Sequence, residues 1–277
     1  MVVMPALNKT ARKPLDRGAD KSVDPAEVAR FAAMADEWWD PRGKFAPLHR
    51  FNPTRLEFIR DRIAQRHNRD PLSDKPLKGI SVLDVGSGGG LIAEPLARLG
   101  AAVTGIDASE KNVAVASAHA KGQGLSIDYR FAGAHDLVKN RERFDAVLSL
   151  EVVEHVADRA AFIRDCAGLV KPDGILILAT LNRTAKSFLF GIVAAEYVLR
   201  WLPRGTHDWN RFVRPSELAG DLRGAGMKLS ELMGVGYNPI SDRFSLTRDV
   251  DVNYMAVAER DSMRRARESA GRKAGKS

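Results

Sequence analysis

The chain has 277 residues, 44% of them hydrophobic and 28% charged, with one cysteine. That is enough for a sizeable core, while the lone Cys166 excludes an intrachain disulfide and points to a reducing compartment. The net charge is +8, of which residues 1–22 carry +3 and residues 260–277 carry +5, so 23–259 is neutral and a nucleic-acid-binding face is argued against.

The two ends, 1–22 and 260–277, read as disordered basic tails. Their alternative role is weak attraction to an anionic membrane surface. The N-terminus lacks the apolar core of a signal peptide. No stretch reaches the roughly 20 apolar residues of a spanning helix.

In chain order, Asp24 followed by Pro25 predicts a helix start. That helix runs through Val28, Phe31, Ala32, Met34 and Ala35 to Trp38 and Trp39, where Pro41 and Gly43 break it. A second amphipathic helix is expected after Pro53, through Leu56, Ile59 and Ile63. Residues 23–66 thus form an N-terminal helical cap. The polar, proline-containing stretch 67–79 reads as a linker.

From Ile80 strands and helices alternate. Strands are expected at Ile80–Val85, Ala102–Ile106, Ile127–Phe131, Phe144–Leu150 and Ile175–Leu181. Helices are expected at Leu91–Leu99, Ser109–Ala120 and Ala160–Val170. After an interruption at 184–213 come a helix, Pro215–Gly224, and two late strands, Met227–Val235 and Val252–Ala258. The pattern predicts an α/β domain over 67–259, a doubly wound, mostly parallel seven-stranded sheet closed by a hairpin.

The phrase Asp84-Val85-Gly86-Ser87-Gly88-Gly89-Gly90 falls where the first strand turns into the first helix. Glycines there let the backbone pass close under a ligand, and open α/β sheets bind ligands at the carboxyl ends of strands. Asp107 ends the second strand, placed to accept hydrogen bonds from ribose hydroxyls. From Gly88 the string also fits a dinucleotide fingerprint. However, a carboxylate at Asp84 suits a cationic methionine group better than a pyrophosphate. This motif resembles the first motif of class I S-adenosylmethionine (SAM)-dependent methyltransferases. Phe144–Leu150 and Lys171-Pro172-Asp173-Gly174 resemble that class's fourth-strand motif and the turn before its fifth strand.

Other phrases are more specific. They are Glu37-Trp38-Trp39-Asp40-Pro41, Pro47-Leu48-His49-Arg50-Phe51-Asn52-Pro53-Thr54-Arg55-Leu56, Glu151-Val152-Val153-Glu154-His155-Val156, Thr180–Thr184, Ala195–Arg200, Gly205–Trp209, Tyr237–Ile240 and Asp251–Met255. Over residues 24–258 they resemble the ubiquinone-biosynthesis O-methyltransferases. The resemblance implies SAM as cofactor and two ring-hydroxyl methylations, on a 2-polyprenyl-6-hydroxyphenol and on 3-demethylubiquinol. It places SAM contacts at Arg55, Gly86, Asp107 and Leu150, to which the glycine loop adds Asp84 and Gly88. Ser87 departs from the family, where cysteine is usual, and both tails exceed the family core. Other ubiquinone-biosynthesis enzymes are expected as partners, and the expected location is cytoplasmic, peripheral on the inner membrane face.

A phenol with a pKa of about 10 is mostly protonated at neutral pH, so the reaction needs a base or a cation that stabilises phenolate. Glu151, Glu154 and His155 are the candidates, and they share a face if helical. They suit a divalent cation such as Mg, and the resemblance implies metal assistance through this motif. Alternatively His155 is the general base, or the two glutamates only complement a helix N-terminus. The apolar run Phe188–Leu202, flanked by Lys186, Arg200 and Arg204, is too short to cross a bilayer. It reads as an interfacial lid over 186–204, with a buried helix or dimer contact as the alternative. Two other functions remain open: methylation of a different phenolic molecule, or SAM binding without catalysis.

Overall fold

The computed structural model describes residues 22–188 and 208–261. Nearly all of both basic tails, and most of the run read as a lid, lie outside the described residues; Arg260, counted with the second tail, instead ends the last strand.

The cap differs from its pattern. Asp24 does cap α1 (Pro25–Ala33), its Oδ1 accepting from Ala26 N at 3.1 Å. The helix stops before Met34 and a 3₁₀ turn follows at Ala35–Glu37. That exit turns Trp38 and Trp39 down onto the domain below, where their burial outweighs continued helix. The second helix begins earlier than expected. α2 spans Ala46–Arg66, with Pro47 in its first turn and Pro53 inside it. Pro53 removes one backbone hydrogen bond, but Phe58, Ile59 and Ile63, all essentially unexposed, hold the helix against the sheet. Truncating Phe58 to Ala would cost about 3–5 kcal/mol.

The domain runs β1 (Ser81–Val85), α3 (Ala93–Arg98), β2 (Ala102–Asp107), α4 (Glu110–Gly122), β3 (Asp128–Phe131), α5 (Ala134–Lys139), β4 (Phe144–Leu150), α6 (Arg159–Gly168) and β5 (Val170–Leu181). A single helical turn, α7 (Ala185–Ser187), then precedes the undescribed segment. The chain resumes with a 3₁₀ turn at Trp209–Arg211, then α8 (Pro215–Gly224), β6 (Met227–Asn238), β7 (Arg243–Thr247) and β8 (Asn253–Arg260).

The sheet order is β3-β2-β1-β4-β5-β8-β6-β7. The first five strands pair in parallel and the last three antiparallel. The eighth strand, β7, is an addition to the expected seven: it pairs only with the outer end of β6 as a hairpin. The short helix α5 is a second addition, too brief for periodicity to reveal.

Side chains alternate across the parallel strands. Leu83, Val147, Leu176 and Leu178 join Phe162, Ile163 and Leu222 on one face. Val82, Ala146, Leu148 and Ile177 join Phe58, Ile63 and Leu96 on the other. Burial on both faces explains why these strands read as continuous apolar runs. The chain reverses direction across the sheet between β1 and β4. Crevices of this kind receive ligands.

Candidate active site

The carboxyl ends of β1, β2 and β4 open into a cavity of about 430 Å³, bounded above by α1 and α2. That size is in the range of small-molecule sites. Asp84, Gly86, Gly88, Asp107, Leu150 and Arg55 all line it, as do Glu151 and His155. Glu154 does not.

The glycine loop is built for close approach. Gly86, Gly88 and Gly90 have φ of +75°, +51° and +90°, a region that favours glycine. A Cβ on Gly86 would also lie 2.5 Å from Val152 Cγ2. Asp84 is only 3% exposed. Burial, reinforced by the charge of Asp107, raises its carboxyl to about 7. Asp107 is raised by burial as well, and three donors pull it back: Ser109 N, Gly88 N and Asn112 Nδ2. Those donors lie at 2.8, 2.9 and 3.1 Å. Two acidic groups in one buried cleft call for a ligand that brings a cation and hydroxyl donors.

The acidic segment after β4 is a turn, not a helix. Glu151 takes φ +55°, a conformation that a non-glycine residue holds at a cost of about 1–3 kcal/mol and that clusters at functional sites. Its carboxylate accepts from Arg55 Nη2. Arg55 is 3% exposed, stacks on Phe51 at 3.9 Å, and keeps a buried Nε without a hydrogen-bond partner. Burial lowers its pKa, and Glu151 opposes that shift.

Glu154 points down to β5, where Thr180 Oγ1 donates to its Oε2 at 2.9 Å. Burial, then the charge of Glu151, pushes its pKa well up. Its Oε1 has no hydrogen-bond partner. His155 turns the other way, to the cap. Its Nδ1 lies 2.9 Å from Glu27 Oε2, and Phe31 packs edge-on at 5.2 Å.

The expectation that Glu151, Glu154 and His155 share a helical face is therefore corrected. The turn sends them to Arg55, Thr180 and Glu27. Among the described residues no group of three His, Cys, Asp or Glu side chains is placed to hold a metal ion. The two carboxylates are neighbours, and the imidazole does not join them.

The cap closes the cavity through its tryptophans. Trp39 Nε1 donates to Gly89 O at 2.9 Å, and its ring stacks on His119 at 3.6 Å. Trp38 stacks on Phe45 at 3.7 Å and donates to Asn112 Oδ1 at 3.1 Å. Asn112, Glu27 and Thr180 are the site residues that sequence reasoning missed. Asn112 carried a faint signal, since it stands three residues after the helix cap Ser109 and five after Asp107. Thr180 opens one of the family phrases without any sign of its partner, and Glu27 carried no signal.

The chain matches the family described as a methyltransferase domain over residues 83–178. It is 56% identical over 245 residues to the ubiquinone biosynthesis O-methyltransferase of Parvibaculum lavamentivorans, covering 88% of this chain and 97% of that one. Relatives of the same name from Rhizobium leguminosarum bv. trifolii and Sinorhizobium fredii are 52% and 53% identical, over 90% and 87% of this chain and 98% of each relative. Among solved structures, magnesium protoporphyrin IX methyltransferase from Synechocystis PCC 6803 with bound SAH superposes with a TM-score of 0.57 at 20% identity, covering 84% of this chain and 95% of that one. At that identity the likeness concerns the fold.

Proposed function

Because the chain belongs to the ubiquinone biosynthesis O-methyltransferase family, we propose that it transfers a methyl group from SAM to ring hydroxyls of 2-polyprenyl-6-hydroxyphenol and 3-demethylubiquinol. One observation carries the site assignment. One cavity is lined by two acids, Asp84 and Asp107, by the buried Arg55 and by the His155 imidazole.

SAM supplies a methyl group activated by a sulfonium. The residues divide the binding work by chemistry. Arg55, with its unused Nε, pairs the methionine carboxylate. Asp84 takes the ammonium, whose charge compensates the buried carboxylate. Asp107 accepts from the ribose hydroxyls, and Leu150 packs on the adenine. Gly86 and Gly88 let the backbone approach.

On the acceptor side His155 removes the hydroxyl proton. The Glu27 carboxylate accepts from Nδ1–H, which leaves the Nε2 lone pair to take the hydroxyl proton. The cap and the glycine loop exclude water and hold the oxygen in line with the methyl group. Glu151 stays paired to Arg55, and Glu154, bonded to Thr180, fixes the turn from beneath.

A divalent cation such as Mg is a second reading, favoured by Glu154 Oε1, which has no donor beside the Glu151 carboxylate. It requires Arg55 to release Glu151 and His155 to leave Glu27. For the membrane, the apolar segment within 186–204 is proposed as the surface that meets the bilayer where a polyprenyl substrate resides. In support, Phe188 is half-exposed at its start, and Lys186 pairs with Asp249. No helix among the described residues is long and apolar enough to cross a membrane.

The test is incubation with methyl-labelled SAM and a short-tail demethylubiquinol, with and without chelator. Label in the lipid fraction is expected in both arms. Loss on chelation, restored by Mg, would replace the base mechanism with the cation reading. SAM binding without turnover on any phenol would leave a non-catalytic partner.

A further inference from the structure

The cap meets the cofactor side of the cavity through two hydrogen bonds in series. Trp38 Nε1 donates to Asn112 Oδ1 at 3.1 Å, and Asn112 Nδ2 donates to Asp107 Oδ1 at 3.1 Å. Asn112 is 2% exposed, so water does not compete for either end. We propose that Trp38 and Asn112 are positioning residues of the cofactor site. The cap's indole orients Asn112, Asn112 orients the Asp107 carboxylate toward the ribose, and cap docking and cofactor binding form one coupled equilibrium. The proposal rests on the assignment of Asp107 to SAM.

The logic is one of donors and acceptors. An amide presents a carbonyl oxygen at one end and an NH₂ at the other, and side-chain geometry alone does not choose between them. An indole N–H only donates. Its presence fixes Oδ1 toward the cap and therefore NH₂ toward Asp107. A flipped Asn112 would set its oxygen against a carboxylate. With Ser109 N and Gly88 N, the amide fills three of the roughly four acceptor positions of Asp107 and sets which edge faces the ligand.

The glycine loop carries the imprint of the same contact. A Cβ on Gly88 would lie 2.5 Å from Trp38 Cζ2, and one on Gly89 would fall on Cβ and Cγ of the same residue. Gly88 needs to be glycine for its φ in any case. Gly89 is not among the positive-φ glycines, and the closest atoms to its absent Cβ belong to Trp38. Glycine at 89 therefore serves the cap. Trp39, bonded to Gly89 O, is a second anchor on the same loop.

Coupling of this kind is reciprocal, so it is read from both sides. By titration calorimetry of the full chain with S-adenosylhomocysteine (SAH), Trp38→Phe should weaken binding about fivefold and Asn112→Ala about tenfold. The double variant should be no weaker than Asn112→Ala alone, because both act through one path. Gly89→Ala, whose Cβ would meet Trp38 Cβ and Cγ at 2.4 Å, should weaken binding comparably. Hydrogen exchange should show residues 25–45 gaining protection on SAH binding, and losing that gain in Trp38→Phe. Native affinity in Trp38→Phe, or penalties that multiply in the double variant, would overturn the proposal. Thermal melts of the free variants identify any that fail to fold, and the conservative Trp38→Phe then carries the test. Absence of SAH binding by the native chain would overturn the cofactor assignment instead.

Discussion

Asp84 makes cofactor binding a proton-linked event. Burial and Asp107 raise its pKa to about 7 in the free protein, so about a tenth of it is ionised at pH 6 and about nine-tenths at pH 8. An ammonium selects the ionised form, and the pair then holds that form well below pH 6. Affinity for SAH should therefore rise about tenfold from pH 6 to pH 8, and binding should release close to one proton at pH 6 and about half of one at pH 7. The assay is calorimetry in two buffers of different ionisation enthalpy, since the released proton appears as a buffer-dependent heat. The sign for stability runs opposite to an ordinary surface aspartate. A folded pKa above the unfolded value means stability that is present at low pH and is lost as pH rises between about 4 and 7. Asp84→Asn should thus make the free chain more stable at pH 8, by an amount on the order of a few kcal/mol, while abolishing the pH dependence of binding. Burial shifts Asp107 in the same direction, and the Asp84→Asn control isolates the contribution of Asp84. A native affinity that stays flat between pH 6 and pH 8, with no buffer-dependent heat, would refute the pairing of Asp84 with the ammonium.

Three further outcomes follow from the same geometry. His155→Ala should lower kcat by about 10²–10⁴ while SAH affinity stays within about twofold, as steady-state kinetics beside calorimetry would show; equal losses in both would move His155 into the cofactor site. Gly86→Ala combines a φ of +75° with a Cβ placed 2.5 Å from Val152. It should destabilise the chain by about 2 kcal/mol or more, and Val152→Ala should return part of that in urea unfolding. Glu154→Gln keeps an oxygen that accepts from Thr180 and removes the charge that burial and Glu151 disfavour. It should change stability by less than about 1 kcal/mol and keep most turnover; a collapse of activity with an intact fold would instead indicate that the ionised carboxylate works in catalysis.

The parallel half of the sheet was legible because its strands are buried on both faces and its turns carry glycine. Phe144–Leu150 and Pro215–Gly224 fall where the pattern placed them, and Asp24 caps the helix it was expected to cap. Errors came where tertiary contact overrides local preference. A proline usually marks a boundary, yet Pro53 sits inside α2 because the residues beyond it pack on the sheet. The first helix was extended to Trp38 because both tryptophans fit its apolar stripe. In the fold they leave the helix and dock on the glycine loop, some 50 residues away in sequence for Trp39 and Gly89.

The site divides in the same way. Asp84, Gly86, Gly88 and Asp107 announce themselves because a strand end, a glycine turn and an acid at the next strand end are local in sequence. The segment 151–155 was read through a spacing rule that holds only in a helix. A left-handed Glu151 breaks the helix at its first residue, and three side chains that share a face on paper turn to three different elements. Of those elements, α2 and β5 are fixed by the burial of other residues, whereas α1 has no buried residue of its own. What the acidic segment does is therefore decided by the packing of the cap: with Glu27 in place His155 is drawn to α1 and away from the carboxylate pair. A cation shared by all three side chains would need the cap contact to open, and so the metal question is at root a question about whether α1 stays docked during turnover.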